Sequence, residues 1–147
     1  MKLLATDMDG TFLRDDKAYN DEFNDLYKQM LKQGIQFVIA SGNQYEALVC
    51  KFDEEIKNDL YYLCENGTKI VYQGKTLYKK ALKKDDVKEV LDILKQDQEC
   101  MLVVSGDKHA YISKSFEDKK DFISLFMKNV QFVESYDDIE DDILKFS

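Results

Sequence analysis

Three short apolar runs alternate with two helical patterns in the first part of the chain, and this rhythm constrains the fold more than any other feature. Lys2 to Asp7 carries Leu3, Leu4 and Ala5, Ile35 to Ala40 reads I-Q-F-V-I-A, and Leu60 to Cys64 reads L-Y-Y-L-C. Between them, Phe23, Leu26, Tyr27, Met30 and Leu31 recur at helical spacing, as do Tyr45, Leu48, Val49 and Phe52. Asn20 or Asp21 is placed to cap the first helix and Gly34 to end it. Strands separated by helices with short joints predict a parallel sheet with right-handed crossovers. The first strand is expected to be buried on both faces, as apolar strands of parallel sheets are.

After Gly67 the rhythm changes. Thr68 to Tyr72 and Lys75 to Tyr78 flank Gln73-Gly74, the pattern of a β-hairpin. A helix follows over Asp85 to Leu94, then strands over Met101 to Ser105 and Ala110 to Ser113, joined through Gly106-Asp107. Ser115 with Asp118 reads as a capping box for a helix carrying Phe122, Ile123, Leu125 and Phe126. Val130 to Val133 and Ile143 to Phe146 read as short strands. The Lys-rich stretch from Lys80 to Lys84 marks a boundary, giving a βα unit over residues 1–80 and a smaller α+β unit over 81–147. The fold class is α/β.

Composition narrows the functions. At 147 residues with a net charge of -8, the chain is ill suited to binding a nucleic-acid backbone, although one phosphate at a local site is compatible with it. No apolar run is long enough to span a membrane. The start, M-K-L-L-A-T-D-M-D-G, interrupts any signal-peptide pattern with two aspartates, which predicts a cytoplasmic location. Cys50, Cys64 and Cys100 form no C-x-x-C pair and are expected to be reduced and mostly buried. His109 stands alone and reads as a turn or strand residue. The acidic run from Asp137 to Asp142 reads as a solvated turn and strand start.

Chemistry concentrates in Asp7-Met8-Asp9-Gly10-Thr11, at the end of the first strand. Ligands of open parallel sheets bind beyond the carboxyl ends of the strands, so these aspartates fall where such a fold places its site. Two carboxylates two residues apart suit a hard cation such as Mg²⁺, and Gly10 permits a tight turn bringing amides towards an anion. A calcium loop is excluded: glycine follows the second aspartate directly, and its twelfth position would be Ala18. Ser41-Gly42, at the end of the second strand and the expected opening of a helix, offers a hydroxyl and amides to an anion, though Ser41 equally fits an ordinary N-cap. A carboxylate pair beside such an anion site suggests metal-assisted phosphoryl transfer.

These segments, with V-I-A-S-G-N at Val38 to Asn43 and E-N-G at Glu65 to Gly67, resemble the haloacid-dehalogenase (HAD) phosphatases of the Cof type, subclass IIB. Ser41 to Tyr45 and Asp141 to Ser147 are most similar to the sugar-phosphatase branch, in which Asn43 replaces an arginine common elsewhere. The resemblance implies a Rossmann-like HAD core over 1–80, followed by part of an α/β cap that selects the substrate. It implies that Asp7 is the nucleophile, forming an aspartyl-phosphate, and that Asp9 is the acid and base. It further implies Mg²⁺ held by Asp7 and the Asp9 backbone carbonyl, with phosphoryl oxygens bound by Ser41 and the amides of Gly42 and Met8. The partner would be a small phosphorylated metabolite, with no nucleic acid and no membrane. Glu65 and Asn66 fall at the third strand end without an assigned role.

Members of that family are roughly twice this long and return from the cap to supply a lysine and a G-D-x-x-N-D loop. Neither occurs here, and Gly106-Asp107-Lys108 reads as a turn between cap strands. The chain is thus expected to stop inside the cap and to have little phosphatase activity alone, because Asp7, Asp9 and a phosphate would meet with little compensating positive charge. An open sheet edge and an uncovered apolar face predict self-association, marginal stability or a missing partner segment. Two alternatives to a truncated sugar phosphatase stand beside it: a non-catalytic module binding Mg²⁺ or phosphate, and a half-enzyme completed by another chain.

Overall fold

A computed structural model describes residues 2–94 and 100–147, and the chain divides into two units, Met1–Lys79 and Lys80–Ser147. The first is built on one five-stranded sheet in the order β1 (Lys2–Asp7), β2 (Ile35–Ala40), β3 (Tyr61–Cys64), β4 (Lys69–Tyr72), β5 (Lys75–Lys79). The strands β1, β2 and β3 are parallel, and β4 and β5 add as an antiparallel hairpin. Its turn residues Gln73 and Gly74 both have positive φ, 51° and 69°, as a two-residue hairpin turn matched to strand twist requires.

Helix α1 (Phe23–Lys32) buries Phe23, Tyr27 and Met30, one stripe at i, i+4, i+7. Asn20 does not cap the helix itself; its Oδ1 accepts the Glu22 N–H at 2.9 Å in the turn leading in, and Gly34 ends it at φ 71°. Helix α2 (Tyr45–Val49) is shorter than its apolar spacing suggests. After Val49 the amides of Lys51 and Phe52 reach back only three residues, to Leu48 and Val49, so the last turn tightens and ends. Phe52 stays buried all the same. The core runs continuously from Met8 and Leu13 through Phe23, Tyr27, Phe37, Ile39 and Leu48 to Tyr62 and Val71. Phe12 packs against it, its ring 4.7 Å from Phe23 and 5.4 Å from Phe37. The buried hydroxyls of Tyr27 and Tyr62 donate to the carbonyls of Asp59 and Lys57, as polar tips of core aromatics must.

The expected double burial of β1 is not found. Leu3 is 63% and Leu4 45% exposed, and adjacent strand residues point to opposite faces, so β1 is open on both. It pairs only with β2 and forms the edge of the sheet.

The second unit carries a four-stranded sheet in the order β8 (Val130–Val133), β7 (Ala110–Ser113), β6 (Val103–Gly106), β9 (Ile143–Phe146). Alternation along β6 and β7 sends Val104 and Tyr111 to one face, with Leu91 of α3 (Lys84–Leu94) and Ile143. Val103, Ala110 and Ile112 pack on the other, with Ile123 of α4 (Lys120–Ser124). Ser115 does not cap the helical segment after β7. Ser113 does, its hydroxyl accepting the Ser115 N–H, because a 3-10 turn starts at Lys114 and puts Ser115 inside it.

Asp141 is not merely a solvated member of an acidic run. Its Oδ2 accepts the Lys108 N–H at 2.9 Å and the Tyr111 hydroxyl at 3.1 Å, pinning the turn after β6. Burial, with Asp141 beside it, pushes the Tyr111 phenol up to about 12. The three cysteines form no disulfide, and of them only Cys64 is buried. Cys50 closes α2 on its solvent side, its Sγ–H directed to the Ala47 carbonyl. Among the described residues no helix is long and apolar enough to cross a membrane.

Candidate functional site

Register sets the site. Asp7 is paired with Ala40, and Ala40 with Leu63, so three parallel strands end level with one another and release their loops at one sheet end. The first loop is Met8 to Leu13. Met8 turns its side chain into the core, fully buried, while Asp7 and Asp9 on either side remain exposed. This is the strand alternation carried one step past the strand. Gly10 has φ 76° with open space around its missing Cβ, so glycine is there for its backbone conformation rather than for room. The turn closes as Phe12 and Leu13 N–H groups donate to the Met8 carbonyl at 3.1 and 2.9 Å.

The second loop is Ser41 to Gln44. Ser41 is not at the opening of a helix, because Gln44 is extended and α2 begins only at Tyr45. Instead, the Ser41 Oγ accepts the Asn43 N–H at 3.1 Å, bending its own loop. The Ser41 N–H donates to the Leu63 carbonyl at 2.9 Å, and the amides of Glu65 and Asn66 donate to the carbonyls of Asn43 and Ser41. Glu65, Asn66 and Gly67 all have positive φ (49°, 57° and 90°). This left-handed run, costly for the two non-glycines, curls the third loop back beneath the second. A Cβ on Gly42 would stand 2.7 Å from Asn66 Oδ1. The close approach of the Asn66 side chain therefore favours glycine at 42, and the E-N-G segment holds the Ser41-Gly42 loop through its amides.

The first and second loops meet at Asp9. Asn43 Nδ2 donates to Asp9 Oδ2 at 3.3 Å, and Lys17 Nζ donates to Asp9 Oδ1 at 2.9 Å. The Lys17 hydrogen bond, helped by the charges of Lys17 and Lys51 and by Asn43, holds the Asp9 carboxyl below the usual range against the opposing effect of burial. Asp9 is therefore ionised at neutral pH, the form that accepts a proton. Sequence reading missed Lys17 altogether, for nothing in a lysine six residues past the motif signals where its ammonium will reach. The contact of Asn43 with Asp9 was foreshadowed only by its place beside Ser41-Gly42.

The donors offered here are oxygens, the Asp7 carboxylate and the Asp9 backbone carbonyl, while both Asp9 carboxylate oxygens are engaged by Lys17 and Asn43. Among the described residues no group of three or more His, Cys, Asp or Glu side chains comes together to hold a metal. Such a site fits Mg²⁺, which takes one or two carboxylates and completes its shell with water and phosphate, and does not fit a metal needing a full protein cage.

A family profile described as haloacid dehalogenase-like hydrolase matches residues 4–147. Among curated proteins, the chain is 40% identical over 148 residues to the 5-amino-6-(5-phospho-D-ribitylamino)uracil phosphatase YbjI of Escherichia coli (strain K12), covering 99% of this chain and 54% of that protein. Among solved structures, SMU.1108c from Streptococcus mutans UA159 matches with TM-score 0.87 at 28% identity, over 99% of this chain and 55% of its own. The HAD subclass IIB sugar phosphatase BT4131 matches in fold with TM-score 0.77 at 16% identity, over 99% of this chain and 57% of its own. The chain spans about half the length of the relatives it matches.

Proposed function

Since the chain belongs to the haloacid dehalogenase-like hydrolase family, we propose that its site serves Mg²⁺-dependent phosphoryl transfer from a small phosphorylated metabolite, a sugar phosphate or a related phosphorylated polyol, through an aspartyl-phosphate. The observation that carries this reading is the level ending of three parallel strands, which sets a carboxylate pair beside a hydroxyl-bearing loop. The phosphatase relatives support the substrate class.

Asp7, exposed at the strand end, is the nucleophile: a carboxylate oxygen attacks phosphorus, the bond to the leaving oxygen breaks, and the phosphoryl group rests on Asp7. Ser41, Gly42 and the Met8 amide orient the phosphoryl oxygens, the second loop being held rigid for this by the E-N-G segment beneath it. Asp9, in its protonated form, delivers a proton to the leaving oxygen; its carboxylate then takes one from a water that attacks phosphorus, which breaks the bond to Asp7 and releases phosphate. Its contact with Lys17 stabilises the carboxylate, so while it lasts it disfavours the protonated form that the first task needs and weakens the base for the second. Asp7 and the Asp9 carbonyl are the residues that would hold Mg²⁺, which when bound offsets the charge of the transferring group. We read residues 1–80 as core and 81–147 as part of a cap that selects the substrate.

One observation favours a second reading, a module that binds Mg²⁺ or phosphate without turnover. Among the described residues no group of three or more His, Cys, Asp or Glu side chains comes together. The experiment that separates the two is phosphate release from sugar phosphates with and without Mg²⁺, beside calorimetry with Mg²⁺ and inorganic phosphate, for the native chain and Asp7→Asn. Slow Mg²⁺-dependent release that the substitution abolishes supports transfer. Binding without release supports the module, and neither binding nor release overturns both.

A further inference from the structure

The loop after the D-x-D-G-T motif contains a residue that its own turn does not need. Residues Arg14 to Ala18 close on themselves: the Arg14 N–H donates to the Ala18 carbonyl and the Lys17 N–H to the Arg14 carbonyl, both at 2.9 Å. Asp16 Oδ1 accepts the Ala18 N–H at 3.0 Å. This arrangement puts Lys17 at φ 64°, in the left-handed region. Glycine adopts that conformation without strain and asparagine with little, whereas a lysine there is strained. Nothing in the turn's backbone bonds calls for a long cationic side chain. What lysine alone supplies is the ammonium, which reaches eight residues back to Asp9 Oδ1 at 2.9 Å. The other carboxylate oxygen is taken by the Asn43 amide, from a different loop. A strained residue whose only distinctive contact is with a candidate catalytic carboxylate is an outlier that points to function.

We propose that Lys17 is a positioning residue for Asp9: its ammonium and the Asn43 amide hold one carboxylate oxygen each and keep the side chain in a single orientation. The proposal rests on the role given to Asp9 above, but its test does not. In the full chain labelled with ¹³C and ¹⁵N, the three-bond couplings across the Asp9 Cα–Cβ bond report whether that side chain holds one rotamer or averages over several. The native chain shows couplings of one rotamer. Lys17→Met brings them to averaged values, Asn43→Ala moves them part of the way, and Lys17→Arg keeps them near native. Lys17→Gly averages them too, yet leaves the melting temperature unchanged or raises it, because the turn is relieved.

Native couplings that are already averaged would overturn the proposal, as would unchanged couplings in Lys17→Met. A clear fall in melting temperature for Lys17→Gly would also overturn it, by showing that the lysine serves the turn. The measurement uses neither metal nor substrate. A chain that releases no phosphate therefore leaves the result standing, and a mobile Asp9 in a chain that does release phosphate refutes the proposal alone.

Discussion

Strands β1 and β6 read alike, each an apolar run of the kind that parallel or two-sided sheets bury, yet they end in opposite surroundings. All four residues of β6 are buried, with α3 packed on one face and α4 on the other. In β1, Leu3 and Leu4 face solvent on both sides, and the strand has a neighbour along one edge only. An apolar run thus states what a strand needs, and its neighbours decide whether the need is met. The contrast has a functional side, since the exposed strand delivers Asp7 and the enclosed one delivers a turn pinned by Asp141.

The sharpest test places the same charge in both strands. Val104→Asp, at a site with no solvent exposure, is expected to cost at least about 4 kcal/mol and to unfold the second unit. Leu3→Asp should cost about 1 kcal/mol or less, mostly through strand preference. Urea unfolding followed by circular dichroism measures both. If Leu3→Asp proves as damaging as Val104→Asp, then β1 is covered in solution, and concentration-dependent elution of the native chain, lost in the variant, would identify the cover as a second copy.

A smaller effect is expected inside the first unit, where the tight joint between the β2 and β3 loops contrasts with the open edge of β1. Gly42→Ala drives a methyl against Asn66 Oδ1. Asn66 is exposed and its amide can swing away, so the loss should stay near 1 kcal/mol. Asn66→Ala should remove the clash, making the double variant less costly than the sum of the singles by about 0.5–1 kcal/mol. Additive losses would show that Asn66 does not brace the Ser41-Gly42 loop.

Much of this was legible in the sequence because the relevant signals are local. The strand and helix alternation, the Gln73-Gly74 hairpin and the D-x-D-G-T strand end each follow from the backbone preferences of a few neighbouring residues. What was misread or missed is of another kind. Whether β1 is covered, which serine caps the segment after β7, and which lysine meets Asp9 all depend on groups brought together from elsewhere. Lys17 shows the limit: its left-handed backbone is set by closure of Arg14 on Ala18, and no propensity of lysine foretells it. Asn66 is a partial case, since asparagine before glycine hints at a left-handed residue but not at the loop it supports.

The weakest expected effect concerns the charge at the exposed strand end. Lys17 and its neighbours lower the Asp9 pKa in the folded chain, so the unfolded chain takes up a proton first as the pH falls. A carboxylate of this kind adds stability that is fully present above its unfolded pKa of about 3.9 and lost as the pH drops through the lower folded value. Asp9 and Lys17 are 47% and 63% exposed, and an ion pair so open to water is worth only a few tenths of a kcal/mol. Lys17→Met should therefore cost a few tenths of a kcal/mol at neutral pH, with the two chains converging as the pH falls below about 4, so that the variant's acid limb is slightly flatter, and 1 M salt should make the native chain behave like the variant. Urea midpoints at pH 3 and pH 7 measure this. An acid limb that Lys17→Met leaves untouched would mean that the pair contributes nothing to the folded state, and that the contact matters for orientation alone.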